Sequence, residues 1–206
     1  MPHIRPLVST MNHKTTSEAI FERFCSQHNL DWTPIPTGTE KSPDYLLRFG
    51  RHSVLVEIEQ IESLTGFNPG GVSSRTVGAH VRRKINAARA QIKAGAESKR
   101  PTILLVHNTI DPMQVFGTEP HDFISAMYGE LTVRFVNGKA ADAFHGRNAK
   151  LRHNENVSFS GVGHLKRTAD GAEVTLFENA YAQIPLPFDA LPECIEVVRV
   201  EVENAA

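Results

Sequence analysis

Three features of the first half of the chain predict an α/β protein. Apolar residues first recur at helical spacing, in Ile20, Phe21, Phe24 and Cys25. Two short apolar runs and a long amphipathic segment follow, and they lead into a continuous apolar run at 102–106 that is typical of a strand buried on both faces. A strand that follows a helix joins its sheet in parallel through a crossover. The sequence therefore predicts a mixed sheet flanked by helices.

The first helix is predicted to begin at Thr15-Thr16-Ser17-Glu18, where hydroxyl side chains precede a glutamate in the pattern of a capping box. It is predicted to end near Asn29. Residues 31–36 contain two prolines, and prolines within a sheet are confined to its edges. We therefore expect a short extended segment near an edge of the sheet.

Two strands, 43–49 and 53–60, are predicted next, joined by a tight turn at Gly50-Arg51. A glycine-rich loop over 66–74 separates them from the second helix, which is predicted to run from Thr76 to Ala94. Apolar residues lie on one stripe of that helix, and Gly95 is expected to end it.

The second half predicts a smaller set of elements: a short helix from Asp122, a strand over 131–136 that runs into an Asn137-Gly138 turn, a hairpin of 157–165 with 173–177, and an edge strand over 195–200. These patterns divide the chain into three parts. Residues 1–12 form an N-terminal tail, residues 13–110 form the core, and residues 111–206 form a C-terminal α/β extension packed on that core.

Composition limits the classes of function. The net charge is −1, so binding to nucleic acid requires a local basic patch rather than a polycationic chain. The two cysteines, Cys25 and Cys194, form no metal knuckle, and we expect a reducing, cytoplasmic location. No apolar stretch approaches the ~18 residues of a membrane span, and no P-loop is present.

Three carboxylates mark the candidate site. Side chains alternate along a strand, so Glu57 and Glu59 point to the same face, and pairing of the two strands brings Asp44 close to them. Like charges held together raise one another's pKa unless a cation neutralises them. Hard oxygen ligands of this kind suit Mg²⁺, or Mn²⁺ in its place. The pattern therefore predicts metal-dependent phosphodiester chemistry.

The segment Pro43-Asp44, followed on the next strand by Glu57-Ile58-Glu59, resembles the motif of the PD-(D/E)XK nuclease superfamily. The resemblance covers roughly residues 15–107 and includes the two flanking helices. It implies a restriction-endonuclease-like core in which Asp44 and Glu57 bind Mg²⁺. The third position of that motif is usually a lysine that orients or activates the attacking water.

This chain departs from the motif because Glu59 stands where the lysine is expected. Some members of the superfamily are similar in having Glu-x-Glu, and in others the cation has moved to the following helix. Glu59 is expected either to accept a proton from the water or to hold a second ion, and the resemblance implies that Lys84 stabilises the phosphate charge, with Arg83 or Arg82 as alternatives. An acid of the first helix often completes such sites. Glu22 is our choice, and Glu18 is the alternative.

Basic residues cluster around the second helix: Arg75, Arg82, Arg83, Arg89 and Lys93. A basic patch on a nearly neutral protein suits the phosphate backbone of a nucleic acid. A second, weaker basic region that includes Lys150 extends the same surface.

The expected function is Mg²⁺-dependent cleavage of DNA, in preference to RNA. The resemblance leaves open a homodimer, the state in which many such folds cut duplexes. Two alternatives also remain: a catalytically inactive nuclease-fold protein that acts as a nucleic-acid-binding or scaffold module, and a small-molecule or structural domain that binds no nucleic acid.

Overall fold

The computed structural model describes residues 14–36, 38 and 41–200, which form a mixed sheet, three helices and a separate two-stranded ribbon. The predicted N-terminal tail, residues 1–12, lies outside the described residues. The helices are α1 (Thr16–Gln27), α2 (Ala79–Glu97) and α3 (Pro120–Tyr128). The strands are β1 (Asp31–Pro34), β2 (Tyr45–Phe49), β3 (His52–Ile61), β4 (Thr102–Asn108), β5 (Glu130–Val136), β6 (Lys139–Arg147), β7 (Gly161–Arg167), β8 (Ala172–Glu178) and β9 (Ile195–Val198).

The large sheet has seven strands in the order β1-β2-β3-β4-β7-β8-β9, which confirms the predicted α/β class with a mixed sheet. The pairs β3-β4, β4-β7 and β8-β9 are parallel, and the remaining pairs are antiparallel. β4 belongs to the predicted core, residues 13–110, and β7 belongs to the predicted extension, residues 111–206. Because these two strands pair, both parts of the chain contribute to one sheet.

The capping box predicted for the first helix is confirmed. The Thr15 hydroxyl accepts a hydrogen bond from the Glu18 amide at 3.2 Å, and the Glu18 carboxylate accepts one from the Thr15 amide. Two of the orphan amide groups at the start of α1 are thereby satisfied. The short extended segment is β1, and it lies at one edge of the sheet as predicted.

The second helix differs from its prediction at both ends. It begins at Ala79, because Gly78 takes the left-handed conformation with φ of 73° and acts as the N-cap. It continues through Gly95 to Glu97, so the stop predicted at Gly95 is wrong. A Cβ at Gly95 would lie 2.8 Å from both Pro43 and Thr102, so close packing, and not helix termination, requires glycine there.

The β5–β6 ribbon is only partly predicted. β5 and the Asn137-Gly138 turn are confirmed, and both turn residues have positive φ, at 51° and 75°. No strand was predicted at β6, whose sequence KAADAFHGR has few β-branched or aromatic residues. It is extended because it pairs with β5 along its whole length.

Two apolar cores cover the two faces of the large sheet. On one face, α1 packs against residues of β2, β3 and β8. On the other, α2 and α3 pack against Ile61, Leu104 and Val106. Among the described residues, no helix has both the length and the apolar character needed to cross a membrane.

Candidate active site

β3 and the residue that precedes β2 place three acidic side chains on the α2 side of the sheet. Glu57 and Glu59 alternate with Val56 and Ile58, which belong to the core on the α1 side, so both carboxylates face α2. The register pairs Tyr45 with Val56, and the Asp44 amide donates to the Val56 carbonyl at 3.0 Å. Asp44 therefore lies opposite Glu57, one residue before the start of β2.

Asp44 is held by the neighbouring strand. Its Oδ2 accepts a hydrogen bond of 2.8 Å from the Ile58 amide. Burial raises the pKa of Asp44 to about 6, although that hydrogen bond lowers it, and the charges of Glu18 and Glu59 raise it further. The carboxylate is thus oriented by the backbone while its charge is only partly compensated.

Glu57 is the least compensated acid of the site. Its side chain is only 4 % exposed, and its Oε2 has no hydrogen-bond partner among the described residues. Burial, followed by the charges of Asp44 and Glu59, raises the pKa of Glu57 to about 9, while Lys41 acts in the opposite direction. A buried carboxyl oxygen without a partner is costly, so this position favours a proton or a cation.

Glu59 has a cation of its own. Lys84, on the second turn of α2, donates from Nζ to Glu59 Oε2 at 2.9 Å. Both side chains are partly exposed, and Lys84 also lines a small cavity of about 270 Å³ beside Glu62 and His80. Lys84 therefore pairs with the residue of β3 that stands at the third position of the motif, at the wall of this cavity.

The predicted convergence of all three carboxylates needs correction. Asp44, Glu57 and Glu59 do not form a group whose ligand atoms all lie within 4.8 Å of one another; in residues 14–36, 38 and 41–200, only Glu119, His121 and Asp122 do so. The Glu59 carboxylate is already neutralised by its ion pair with Lys84. The arrangement is consequently a pair of uncompensated acids, Asp44 and Glu57, next to an ion pair.

The acids of the first helix are engaged elsewhere. Glu22 accepts a 2.9 Å hydrogen bond from the Tyr45 hydroxyl and forms an ion pair with Lys14. Tyr45 belongs to the core on the α1 side, the face opposite Glu57. Glu18, the alternative, caps α1, and its charge contributes to the raised pKa of Asp44 and Glu57, whereas Glu22 makes no such contribution.

The second acidic cluster, Glu119, His121 and Asp122, already contains a cation. One guanidinium nitrogen of Arg75 lies 2.6 Å from Glu119, 3.1 Å from His121 Nε2 and 2.8 Å from Asp122. Asp122 is fully buried and also accepts from the Gly78 amide, so the cluster anchors α3 to the start of α2. Arg75 fills the place that an ion would take.

A basic cavity lies at the N-terminal end of α2. Its volume is about 720 Å³, and no carboxylate lines it. Its charged lining consists of Arg75, Arg82, Arg83 and Lys150. His80 and Arg83 also line the smaller cavity beside Lys84, so the two cavities share a wall.

The arginines and lysine predicted to bind nucleic acid fall into three groups. Arg75 is committed to the acidic cluster, and Arg82 is buried with its guanidinium donating to the carbonyls of Ser125 and Val77. Arg83 is exposed and contacts His80 Nδ1, and burial followed by the charge of Arg83 lowers the pKa of that imidazole. Arg89 and Lys93 are exposed on α2 outside the cavity lining.

Two basic residues near the site carry no strong sequence signal. Lys41 precedes Asp44 by three residues in a polar loop, and its charge acts on Glu57. Lys150 reaches the cavity only because the chain returns to the body after β6. Comparison with protein-family models, with curated proteins and with solved structures gives no match.

Proposed function

We propose that the chain is a metal-dependent phosphodiesterase that cleaves DNA on a restriction-endonuclease-like core. The observation that carries the proposal is the Glu57 carboxyl group, which is almost fully buried, lacks a partner at Oε2 and lies beside Asp44. The chain supplies no cation in contact with Glu57 among its described residues. A divalent ion would satisfy both acids at once.

Asp44 and Glu57 fit Mg²⁺ or Mn²⁺ because both offer hard oxygen ligands from adjoining strands. Ile58 orients the Asp44 carboxylate through its amide, so one ligand is positioned before any ion arrives. The bound ion would neutralise charge on the scissile phosphate and lower the pKa of the attacking water. The proton of Glu57 would leave when the ion binds, since coordination needs the charged carboxylate.

Lys84 and Glu59 supply the second part of the chemistry. Glu59 holds the Lys84 ammonium group at 2.9 Å, and Lys84 lines the smaller cavity together with His80 and Arg83. From there the ammonium group stabilises negative charge that develops on the phosphate in the transition state. Glu59 keeps that group in position and accepts a proton from the attacking water.

The larger cavity supports a nucleic acid as the substrate. No carboxylate of the described residues lines it, Arg83 and Lys150 are its cationic side chains that are not committed to the acidic cluster or buried, and it shares a wall with the cavity beside Lys84. A polyanionic strand in the basic cavity would therefore lie next to Lys84, which pairs with Glu59. Phosphate contacts of this kind position a nucleic acid without reading its sequence.

The test combines metal binding with cleavage. Thermal unfolding of the wild type should shift upward on addition of Mg²⁺ or Mn²⁺, and plasmid DNA should be cut, with RNA of the same sequence cut more slowly. Asp44→Ala and Glu57→Gln should abolish the shift and lower cleavage by about 10³-fold or more. Glu173→Gln, which changes an exposed carboxylate on β8, is the matched control and should behave as wild type.

Retention of wild-type cleavage in Asp44→Ala would overturn the proposal. A wild type that binds DNA in a salt-dependent way but neither cuts it nor responds to metal would instead identify a nuclease-fold binding module. Absence of both metal response and DNA affinity would leave a structural or small-molecule domain.

A further inference from the structure

The β5–β6 ribbon projects from the body of the protein. Every residue from Leu131 to His145 is exposed. The base is anchored, because Asn148 donates to Glu130 at 2.7 Å and His145 Nδ1 lies 2.7 Å from the Gly129 carbonyl. Beyond that base, no element formed by the described residues packs against either face of the ribbon.

The two faces of the ribbon differ in polarity. Cross-strand pairing puts five apolar residues on one side, which we call the apolar ribbon face: Leu131, Val133, Phe135, Ala140 and Ala143, with His145 opposite Leu131 at the base. The opposite side carries the ion pair of Arg134 with Asp142 at 2.8 Å and Lys139, interspersed with Thr132, Val136 and Phe144. Leu131 and Phe135 are 62 % and 66 % exposed, which is unusual for such large apolar side chains.

An uncovered ribbon of this kind is costly. A two-stranded hairpin alone is marginally stable in water and gains stability when its apolar face is packed. The apolar ribbon face offers an area on the order of 500 Å², at the upper end of what monomers expose. Five of the nine exposed large apolar side chains in the described part of the chain lie on this ribbon.

The occupant must be apolar and uncharged. The apolar ribbon face carries no formal charge between its base and its turn, so it offers nothing to a phosphate backbone or a charged peptide. We propose that this face packs against the same face of a second copy of the chain about a two-fold axis. Two ribbons then form a four-stranded sandwich whose layers lie about 10 Å apart.

The area sets the strength of the association. Two copies would bury roughly 1,000 Å² in total, the lower bound for a specific interface, so we expect a dimer with a Kd of about 1–100 μM. The inference is independent of the proposed chemistry, since neither acid of the candidate site lies on the ribbon.

Sedimentation velocity of the full chain from about 1 to 300 μM tests the proposal. The wild type should shift from monomer to dimer across this range. Val133→Asp should remain monomeric, because two buried like charges would face each other. Thr132→Asp, its neighbour on the opposite face of β5, is the matched control and should dimerise as the wild type does.

A mixture of two variants with opposite charges at position 133 tests whether Val133→Asp is monomeric because of charge repulsion in the interface. Val133→Lys alone should also be monomeric, and an equimolar mixture with Val133→Asp should recover the dimer. Circular dichroism melts check that all variants fold. A wild type that is monomeric at 300 μM, a dimer unaffected by Val133→Asp, or a folded mixture that stays monomeric would each overturn the proposal. If the wild type is monomeric and Val133→Asp loses affinity for duplex DNA, the proposal is also overturned, because the apolar ribbon face would then bind nucleic acid.

Discussion

Two acidic clusters of this protein have similar residues, but they differ in whether a cationic side chain of the chain neutralises them. In the cluster at the start of α3, Arg75 contacts Glu119, His121 and Asp122 through one guanidinium nitrogen. In the pair beneath α2, Glu57 is as deeply buried as a core residue, and its Oε2 has no partner among residues that the structure describes. Only the second cluster leaves charge for something outside the chain to neutralise.

The comparison shows why close packing of acids is a poor guide to a metal site. The tightest group of potential ligands is the one that the chain has already neutralised with its own arginine. The looser pair has raised carboxyl pKa values, and at about 9 the pKa of Glu57 means that the folded protein holds a proton on that carboxyl group at neutral pH. Unsatisfied ligands, and not crowded ones, indicate where an ion is needed.

The largest effect on stability should come from removing the internal cation. Arg75→Ala leaves the fully buried Asp122 carboxylate without its ion pair, and breaking such a pair costs about 3–5 kcal/mol. We expect the free energy of unfolding in urea to fall by that amount. Arg89→Ala, on the exposed side of α2, should change it by less than about 0.5 kcal/mol. An Arg75→Ala protein as stable as the wild type would contradict the neutralising role of Arg75.

An intermediate effect, on activity, should follow removal of the Glu59 partner. Lys84→Ala should lower the rate of DNA cleavage by about 10²-fold, since it removes one charge that acts on the transition state. The thermal shift caused by Mg²⁺ should persist, because Asp44 and Glu57 are unchanged. Lys139→Ala, which changes an exposed lysine on the β5–β6 ribbon, is the control.

A double-mutant cycle sharpens the assignment. In the proposed mechanism Glu59 both holds Lys84 and accepts the proton of the attacking water, so the double variant with Glu59→Gln should lose more activity than Lys84→Ala alone but less than the sum of the two single losses. Fully additive losses would instead show that Glu59 and Lys84 act separately.

Local patterns predicted most of the fold. The helix periodicity of α1, the turn residues at Gly50 and Asn137, and the apolar run of β4 depend on a few neighbouring residues each, and all were confirmed. The failures needed tertiary information. Gly95 is required by contacts with Pro43 and Thr102, and β6 is extended only because β5 is its partner.

The candidate site was predictable to the same extent. Alternation along β3 predicted that Glu57 and Glu59 share a face, and the α2 register then joined Glu59 to Lys84. Two assignments depended on long-range partners. Arg75 meets an acid 47 residues further along the chain, and Glu22 meets Tyr45 from the opposite face of the sheet. Sequence spacing carries no information about such partners.

The smallest expected effect is a pH dependence that separates the two clusters. Without metal, the pKa values of Asp44 and Glu57, about 6 and about 9, exceed their ordinary values of 3.8 and 4.5. The folded state then binds more protons than the unfolded state, so the stabilising contribution is complete below about pH 4 and is lost as pH rises through 6 and then 9. His80, His107 and His164, whose pKa values are lowered, also contribute near pH 6.5, but wild type and Glu57→Gln share them, so their contributions cancel in the comparison of the two proteins.

Over a scan from about pH 6.5 to 8.5 in EDTA, the wild type should lose about 2–3 kcal/mol of unfolding free energy relative to Glu57→Gln, which cannot ionise at this position. Saturating Mg²⁺ should remove the difference in slope, because the ion replaces the proton in the folded state. Glu119→Gln should keep the wild-type slope, since Arg75 already neutralises its cluster. Equal slopes for wild type and Glu57→Gln would mean that Glu57 is charged and compensated in the metal-free protein, and the distinction between the two clusters would be lost.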